Sequence, residues 1–166
     1  MNEANIGCCL KHFPGYGPNA DTHGDTAYDN RPYETFSAQD FLPFAAGIEA
    51  GAGSVMVSHI IVGCIDDTLP ASLSPEVHRI LREELGFDGV IMTDDLGMAA
   101  VSGTFEGHSA AVMALLAGND MLVTSDPEDD LGRILEAVRN GTLSEDTLDR
   151  AVLRILQWKV DLGLID

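Results

Sequence analysis

The chain has 166 residues, 45% of them hydrophobic and 22% charged, which suits one soluble domain with a buried core. Nine lysine and arginine residues stand against 27 aspartate and glutamate residues, and the net charge of -18 argues against nucleic acid and anionic membrane surfaces as partners. No apolar stretch reaches the ~18 residues of a membrane span and no amino-terminal signal peptide is visible, so we favour a cytoplasmic location.

Short apolar segments alternate with helical patterns along the chain. Strands are predicted at residues 6–10, 54–63, 87–93 and 120–124. Helices are predicted at residues 37–51, 74–86, 108–117, 129–139 and 144–162, several of them bounded by a capping serine or a terminal glycine. This alternation predicts an α/β fold with a parallel sheet. It fits either an open doubly wound sheet or half of an eightfold barrel, and the pattern does not separate the two.

The first predicted strand runs into a loop with the sequence KHFPGYGPNADTH, at residues 11–23. Proline and glycine at this density end a regular element, and polar loops at the carboxyl edge of a parallel sheet often carry catalytic groups. Lys11 and His12 stand where the strand meets the loop, so they are candidates for contact with a sugar or phosphate, or for a salt bridge. Asp21 and His23 form an Asp-x-His pair that fits proton transfer; the alternative is a solvated pair without function.

The third predicted strand runs directly into Asp94 and Asp95. A carboxylate at the carboxyl end of a buried parallel strand lies in the catalytic position of an α/β fold. Aspartate also favours helix starts, so a capping pair is the alternative. We expect one of the two residues to be chemical and the other structural.

The histidines allow two further interpretations: one as a buried core residue, and others as metal ligands. His59 lies within the second apolar segment and is predicted to be a hydrogen-bonded core histidine. A metal site would draw on His12, His23, Asp21 and Asp25, but their spacing matches no standard ligand motif. We therefore expect no metal.

Several sequence blocks resemble glycoside hydrolase family 3, most closely its β-N-acetylhexosaminidase branch. In the family's order they are KHFPGYG, DTH, RPYETF, VMVSHI, PASLS, ELGFDGVIMTDDLGM and the terminal LGL. The resemblance implies a (β/α)8 TIM barrel, of which residues 1–166 supply strands five to eight and a terminal helix. Asp95 stands where the β-glucosidase branch usually has Trp, which favours the hexosaminidase branch.

The resemblance also implies a reaction and a set of site residues. It implies a retaining glycoside hydrolase that removes terminal β-N-acetylhexosamine residues through a covalent glycosyl-enzyme, as in cell-wall recycling, without a metal or cofactor. Asp94 resembles the nucleophile, His23 the acid/base and Asp21 its dyad partner. Lys11 and His12 resemble residues that bond sugar hydroxyls. A histidine acid/base departs from the two-carboxylate scheme of most glycosidases.

Half a barrel cannot close on itself. Four parallel strands leave two sheet edges and the inner face exposed. We therefore expect a homo-oligomer, a rearranged open sheet, or the missing amino-terminal half of the barrel as partner. The alternatives to an enzyme of this kind are a catalytically inactive half-barrel fragment or structural domain, and a metal-dependent hydrolase.

Overall fold

The computed structural model describes residues 6–18, 27–101, 104–105 and 107–166. Its main sheet is parallel and has four strands, in the spatial order β1 (Cys9–Phe13), β3 (Ser54–Val57), β5 (Val90–Asp95) and β8 (Met121–Val123). Two smaller pairs complete the strands, namely β2 (Tyr28–Asp29) with β4 (Ile61–Val62) and β6 (Thr104–Phe105) with β7 (His108–Ser109). The predicted α/β fold with four parallel strands is confirmed.

Helices follow each strand of the main sheet, as expected of parallel strands joined by crossovers. They are α1 (Tyr33–Thr35), a π-helical turn (Phe36–Asp40), α2 (Phe41–Glu49), a 3₁₀ turn (Ala71–Leu73), α3 (Pro75–Arg79), a second π-helical turn (Ile80–Glu84), a 3₁₀ turn (Ala99–Val101), α4 (Ala110–Ala117), α5 (Pro127–Arg139) and α6 (Glu145–Asp161). Within the described ranges, no helix combines the length and the apolar character needed to cross a bilayer.

The predicted starts of α3 and α6 agree with the capping chemistry, whereas the helix predicted from residue 37 begins at Tyr33. Ser74, Ser109 and Ser144 each accept a hydrogen bond from the backbone N–H three residues later, at helices α3, α4 and α6. Gly118 ends α4 with φ of 113°, a left-handed conformation that glycine adopts without a steric penalty.

Three predicted strands differ from the observed ones. The third, predicted at residues 87–93, is β5 (Val90–Asp95), so Asp94 and Asp95 are its last two residues. The first strand begins at Cys9, three residues later than predicted, so Lys11 and His12 lie within it. The second predicted strand, residues 54–63, is broken: β3 ends at Val57, and the chain turns before β4. His59 therefore lies in a turn beyond the strand.

The two faces of the main sheet have different surroundings. Val55, Val57 and Ile91 belong to one buried cluster together with aromatic side chains of β1, the π-helical turn and α2. Because side chains alternate along a strand, Met56 and Met92 lie on the opposite face. Met56, Met92 and Met121 are in register on neighbouring strands and form a methionine row.

Part of this second face and part of the helical surface are exposed to solvent. Cys9 and Lys11 are exposed, and strands β1 and β8 form the two edges of the main sheet. The helices after β8 also expose large apolar side chains, those of Leu131, Leu135, Val152, Leu153, Leu156 and Val160. Exposed apolar surface next to two free strand edges is typical of a surface that packs against more protein.

Asp120 connects the sheet to the helical layer. Its side chain is 2% exposed and forms ion pairs with Arg82, next to α3, and with Arg154 of α6. The same carboxylate accepts a hydrogen bond from the Ile91 N–H at 2.8 Å. A single buried carboxylate thus holds two arginines and one strand.

Trp158 packs against the amino-terminal end of the main sheet. The Trp158 indole on α6 lies against Gly7 and Gly53, where an added Cβ would collide with the ring. We expect Gly53→Ala to lower the free energy of unfolding by about 1–3 kcal/mol, because a close-packed site does not accept an extra methyl group. Urea unfolding followed by the fluorescence of the single tryptophan measures the change.

Gly132→Ala is the matched control, because Gly132 lies in α5 and an added Cβ would meet nothing within 4 Å. Helix propensity predicts that this substitution stabilises the protein slightly. Equal unfolding midpoints for the two variants would contradict the packing of Trp158 on Gly53.

Candidate active site

Asp94 and His12 meet at the carboxyl edge of the sheet. Parallel strands end at the same edge, so the last residues of β1 and β5 are brought close although they are distant in sequence. The His12 Nε2 atom lies 3.6 Å from Asp94 Oδ2, and the two side chains are 28% and 17% exposed. The pair is therefore accessible to a small polar ligand.

The Asp94 carboxylate is oriented by its neighbour. Its Oδ1 atom accepts a hydrogen bond from the Asp95 backbone N–H at 2.9 Å. Its Oδ2 atom is the one that faces His12. The carboxylate therefore has one oxygen held by the backbone and one directed toward His12 of β1, two strands away in the sheet.

The Asp95 side chain stabilises the turn that follows β5. It accepts hydrogen bonds from the Gly97 N–H at 2.9 Å and from the Ser125 hydroxyl at 2.7 and 2.9 Å. These bonds, the Gly97 N–H first, lower the pKa of the Asp95 carboxyl. Asp94 and Asp95 thus occupy different environments, since only the second has its side chain engaged in the turn.

Of the other predicted site residues, the structure describes only Lys11. It is exposed on β1, one residue before His12, whose ring meets the Tyr16 ring edge to face at a centroid distance of 5.6 Å. Asp21 and His23 lie outside the described residues. So does Asp25, a member of the candidate metal set. Among the residues that the structure does describe, no three His, Cys, Asp or Glu side chains are grouped to hold a metal ion.

The loop after β1 lies on an ion cluster that the sequence analysis missed. The Arg31 guanidinium donates to Asp29 at 2.9 and 3.0 Å and to both carboxylate oxygens of Asp40 at 3.0 Å. Gly15 and Gly17 cover this cluster so closely that an added Cβ would lie 2.6 Å from Asp40 Oδ1 and 2.5 Å from Arg31 Nη2. Both glycines have positive φ, 116° and 53°, so neither position accepts another residue without strain.

His59 is a buried histidine with both ring nitrogens hydrogen-bonded, as the sequence analysis predicted. Its Nδ1 atom lies 2.7 Å from Ser72 Oγ, and its Nε2 atom lies 3.0 Å from the carbonyl oxygen of Asp95. Burial lowers the pKa of the imidazole. Its contact with Asp95 was not foreseen, because no pattern in the sequence links residues in different turns.

The similarity to known proteins agrees with this geometry. The model of the glycosyl hydrolase family 3 N terminal domain matches residues 1–158. The chain belongs to glycosyl hydrolase family 3. The four-stranded parallel sheet of this family 3 chain is part of a TIM-barrel-like domain.

Relatives of the family 3 chain are considerably longer. A beta-hexosaminidase of Xanthomonas campestris pv. campestris (strain B100) is 41% identical over 146 residues, 87% of this chain and 44% of the relative. A solved beta-N-acetylglucosaminidase of family 3 from Paenibacillus sp. str. FPU-7 superposes with a TM-score of 0.91 at 34% identity, over 98% of this chain and 32% of its own. A solved beta-glucoside phosphorylase superposes with a TM-score of 0.89 at 31% identity, over 96% of this chain and 31% of its own. The chain thus spans less than half the length of these proteins.

Proposed function

We propose that this chain is the second half, strands five to eight, of the catalytic barrel of a retaining glycoside hydrolase. The reaction is removal of terminal β-N-acetylhexosamine residues, of the N-acetylglucosamine type. One observation carries the proposal: in a family 3 chain, the Asp94 carboxylate lies at the carboxyl edge of β5 with Oδ1 held by the backbone and Oδ2 directed toward His12.

The reaction would proceed in two displacements. In the first, Asp94 Oδ2 attacks the anomeric carbon while His23 gives a proton to the departing glycosidic oxygen, which leaves an ester between the sugar and Asp94. In the second, His23 takes a proton from water, the hydroxide oxygen bonds to the anomeric carbon, and the ester bond breaks to restore the carboxylate. Asp21 orients the His23 imidazole, and Lys11 and His12 hold sugar hydroxyls.

The names of the relatives support an amino sugar as substrate. The curated relatives are beta-hexosaminidases, and a structural neighbour is a beta-N-acetylglucosaminidase. Amino-sugar glycosides of bacterial cell-wall recycling belong to this class. The phosphorylase neighbour favours a second candidate, in which inorganic phosphate replaces water in the second displacement.

The open surfaces of the chain support a partner that completes the barrel. Strands β1 and β8 are edges, Lys11 and Cys9 are exposed on the inner face, and α5 and α6 expose apolar side chains. The partner we propose is the missing amino-terminal half of the barrel; a second copy of this chain is the alternative.

Barrel completion and substrate class are tested together. The chain is produced alone and also joined behind the amino-terminal barrel half of the Xanthomonas relative. Each is given 4-nitrophenyl N-acetyl-β-glucosaminide, with 4-nitrophenyl β-glucoside as the matched control. We expect the completed barrel to release nitrophenol from the amino sugar at least about tenfold faster, the rate ratio that corresponds to 1.4 kcal/mol.

The reaction products show whether water or phosphate accepts the sugar, and they separate the hydrolase from the alternative functions. Free N-acetylglucosamine in phosphate buffer supports the hydrolase, and the sugar 1-phosphate supports the phosphorylase. A folded barrel that acts on neither substrate would contradict both and favour the inactive fragment. Activity of the chain alone, with a dimer in sedimentation, would favour the second copy as partner.

A further inference from the structure

His59 has a defined tautomer in this structure. A carbonyl oxygen only accepts hydrogen bonds, so the Nε2 atom that faces the Asp95 carbonyl at 3.0 Å carries the proton. The ring is fully buried, and burial lowers its pKa, so the imidazole is neutral. Its Nδ1 atom therefore accepts the hydrogen bond from the Ser72 hydroxyl at 2.7 Å.

The serine that donates to the Nδ1 atom of His59 is itself held on both sides. The Ser72 N–H donates to the Ser58 carbonyl at 2.9 Å, and the Ser72 carbonyl accepts from the Asn119 amide at 2.7 Å. Ser72 is also fully buried. The hydroxyl is thus presented to His59 by a backbone segment that is fixed in place.

His59 is hydrogen-bonded to Asp95, the residue that orients the candidate nucleophile Asp94. Asp95 accepts from His59 at its carbonyl, and its side chain is held by the turn that follows β5. The N–H of the same residue donates to Asp94 Oδ1. With its carbonyl and its side chain both held, Asp95 has little freedom to turn its N–H away from Asp94.

We propose that His59, kept in its Nε2–H tautomer by the Asp95 carbonyl and supported at Nδ1 by Ser72, is a positioning residue that fixes Asp95 and, through it, the carboxylate of Asp94. The inference rests on the proposed function only in treating Asp94 as the nucleophile. Because any buried histidine needs partners for both ring nitrogens, positioning is distinguished from core packing by the response of Asp95 to the loss of the Nε2 donor.

Two variants of similar size separate positioning from packing. His59→Gln keeps an N–H donor within reach of the Asp95 carbonyl, whereas His59→Met fills similar space without a donor. We expect the Asp95 amide to exchange with solvent at least tenfold faster in His59→Met than in the wild type and in His59→Gln. The amides of Val55 and Val57 in β3 serve as the control for global unfolding.

Nitrogen-15 spectra of the imidazoles test the tautomer in the chain as it stands. We expect a neutral ring with Nε2–H for His59, assigned by its loss in His59→Gln. In Ser72→Ala we expect the Nε2–H tautomer to remain, because the Asp95 carbonyl still accepts the bond from Nε2. An Nδ1–H ring, or equal Asp95 exchange in the wild type and His59→Met, would overturn the proposal.

Kinetics in the completed barrel provide the functional measurement. We expect His59→Met to lower kcat at least tenfold with KM within threefold of the wild type, and His59→Gln to restore most of kcat. An unchanged kcat in His59→Met overturns the proposal. If the wild type shows no turnover while exchange and tautomer are as expected, the proposed function fails and the positioning of Asp94 by His59 stands.

Discussion

Asp94→Asn is expected to abolish glycoside turnover in the completed barrel, with kcat lowered by about 10⁴-fold to 10⁶-fold, the range seen when a hydrolase loses its nucleophile or an acidic partner. Asparagine has no negative charge and does not form the glycosyl ester. It retains a carbonyl oxygen that accepts the Asp95 N–H bond, so the turn after β5 is preserved. The loss is therefore chemical, and the unfolding midpoint should remain close to that of the wild type.

Two measurements make this result specific. Asp88→Asn, at an exposed aspartate between α3 and β5, is the matched control and should leave turnover unchanged. A fluorinated N-acetylglucosaminide that slows the second displacement should add one sugar mass to the wild type and none to Asp94→Asn. Peptide mapping that places the sugar on Asp95, or full turnover by Asp94→Asn, would show that another group attacks.

Asp120→Ala should have the largest effect on stability, a loss of about 3–5 kcal/mol in the free energy of unfolding. The substitution leaves the Arg82 guanidinium, which is largely buried, without its carboxylate. It also removes the partners of Arg154 and of the Ile91 N–H. A buried charge without a partner strongly destabilises the folded state. The intact cluster stabilises it by less than the attraction between its charges, because burying those charges removes their hydration.

Urea unfolding monitored by circular dichroism measures this loss. Asp129→Ala is the matched control, because Asp129 pairs with Arg133 on the exposed surface of α5. Solvent screens such a pair, and we expect little change in the midpoint. Similar midpoints for the two variants would show that Asp120 is not the connection between sheet and helices that its contacts indicate.

Local sequence signals accounted for the elements that depend on local physics. Apolar segments marked the four strands, and Ser74 and Ser144 marked helix starts, because periodicity and capping are decided within a few residues. The first strand was misplaced because Lys11, His12 and Phe13 continue it, and the polar Lys11 and His12 do not extend an apolar segment. Both π-helical turns were also missed, since one extra residue in a turn leaves no clear pattern.

The candidate site likewise combines features that local sequence predicts with features that depend on the whole fold. The position of Asp94 at a strand end follows from the apolar segment before it. Its closeness to His12 depends on the register of three strands, and the contact of His59 with Asp95 depends on two turns. Arg31 was not singled out from the sequence, because its pairing with Asp29 and Asp40 arises only when the chain folds back.

The methionine row has a consequence for how a complete barrel is assembled. TIM-barrel interiors are usually filled by branched side chains of fixed shape, whereas Met56, Met92 and Met121 have flexible thioethers that fit irregular space. An interior of this kind accepts a range of opposing side chains, so we expect it to fit amino-terminal halves of differing sequence. The same sulfur atoms are oxidisable, and a sulfoxide in the row would make this interior polar. Oxidants are therefore expected to weaken the contact between this chain and the barrel half that we propose as its partner.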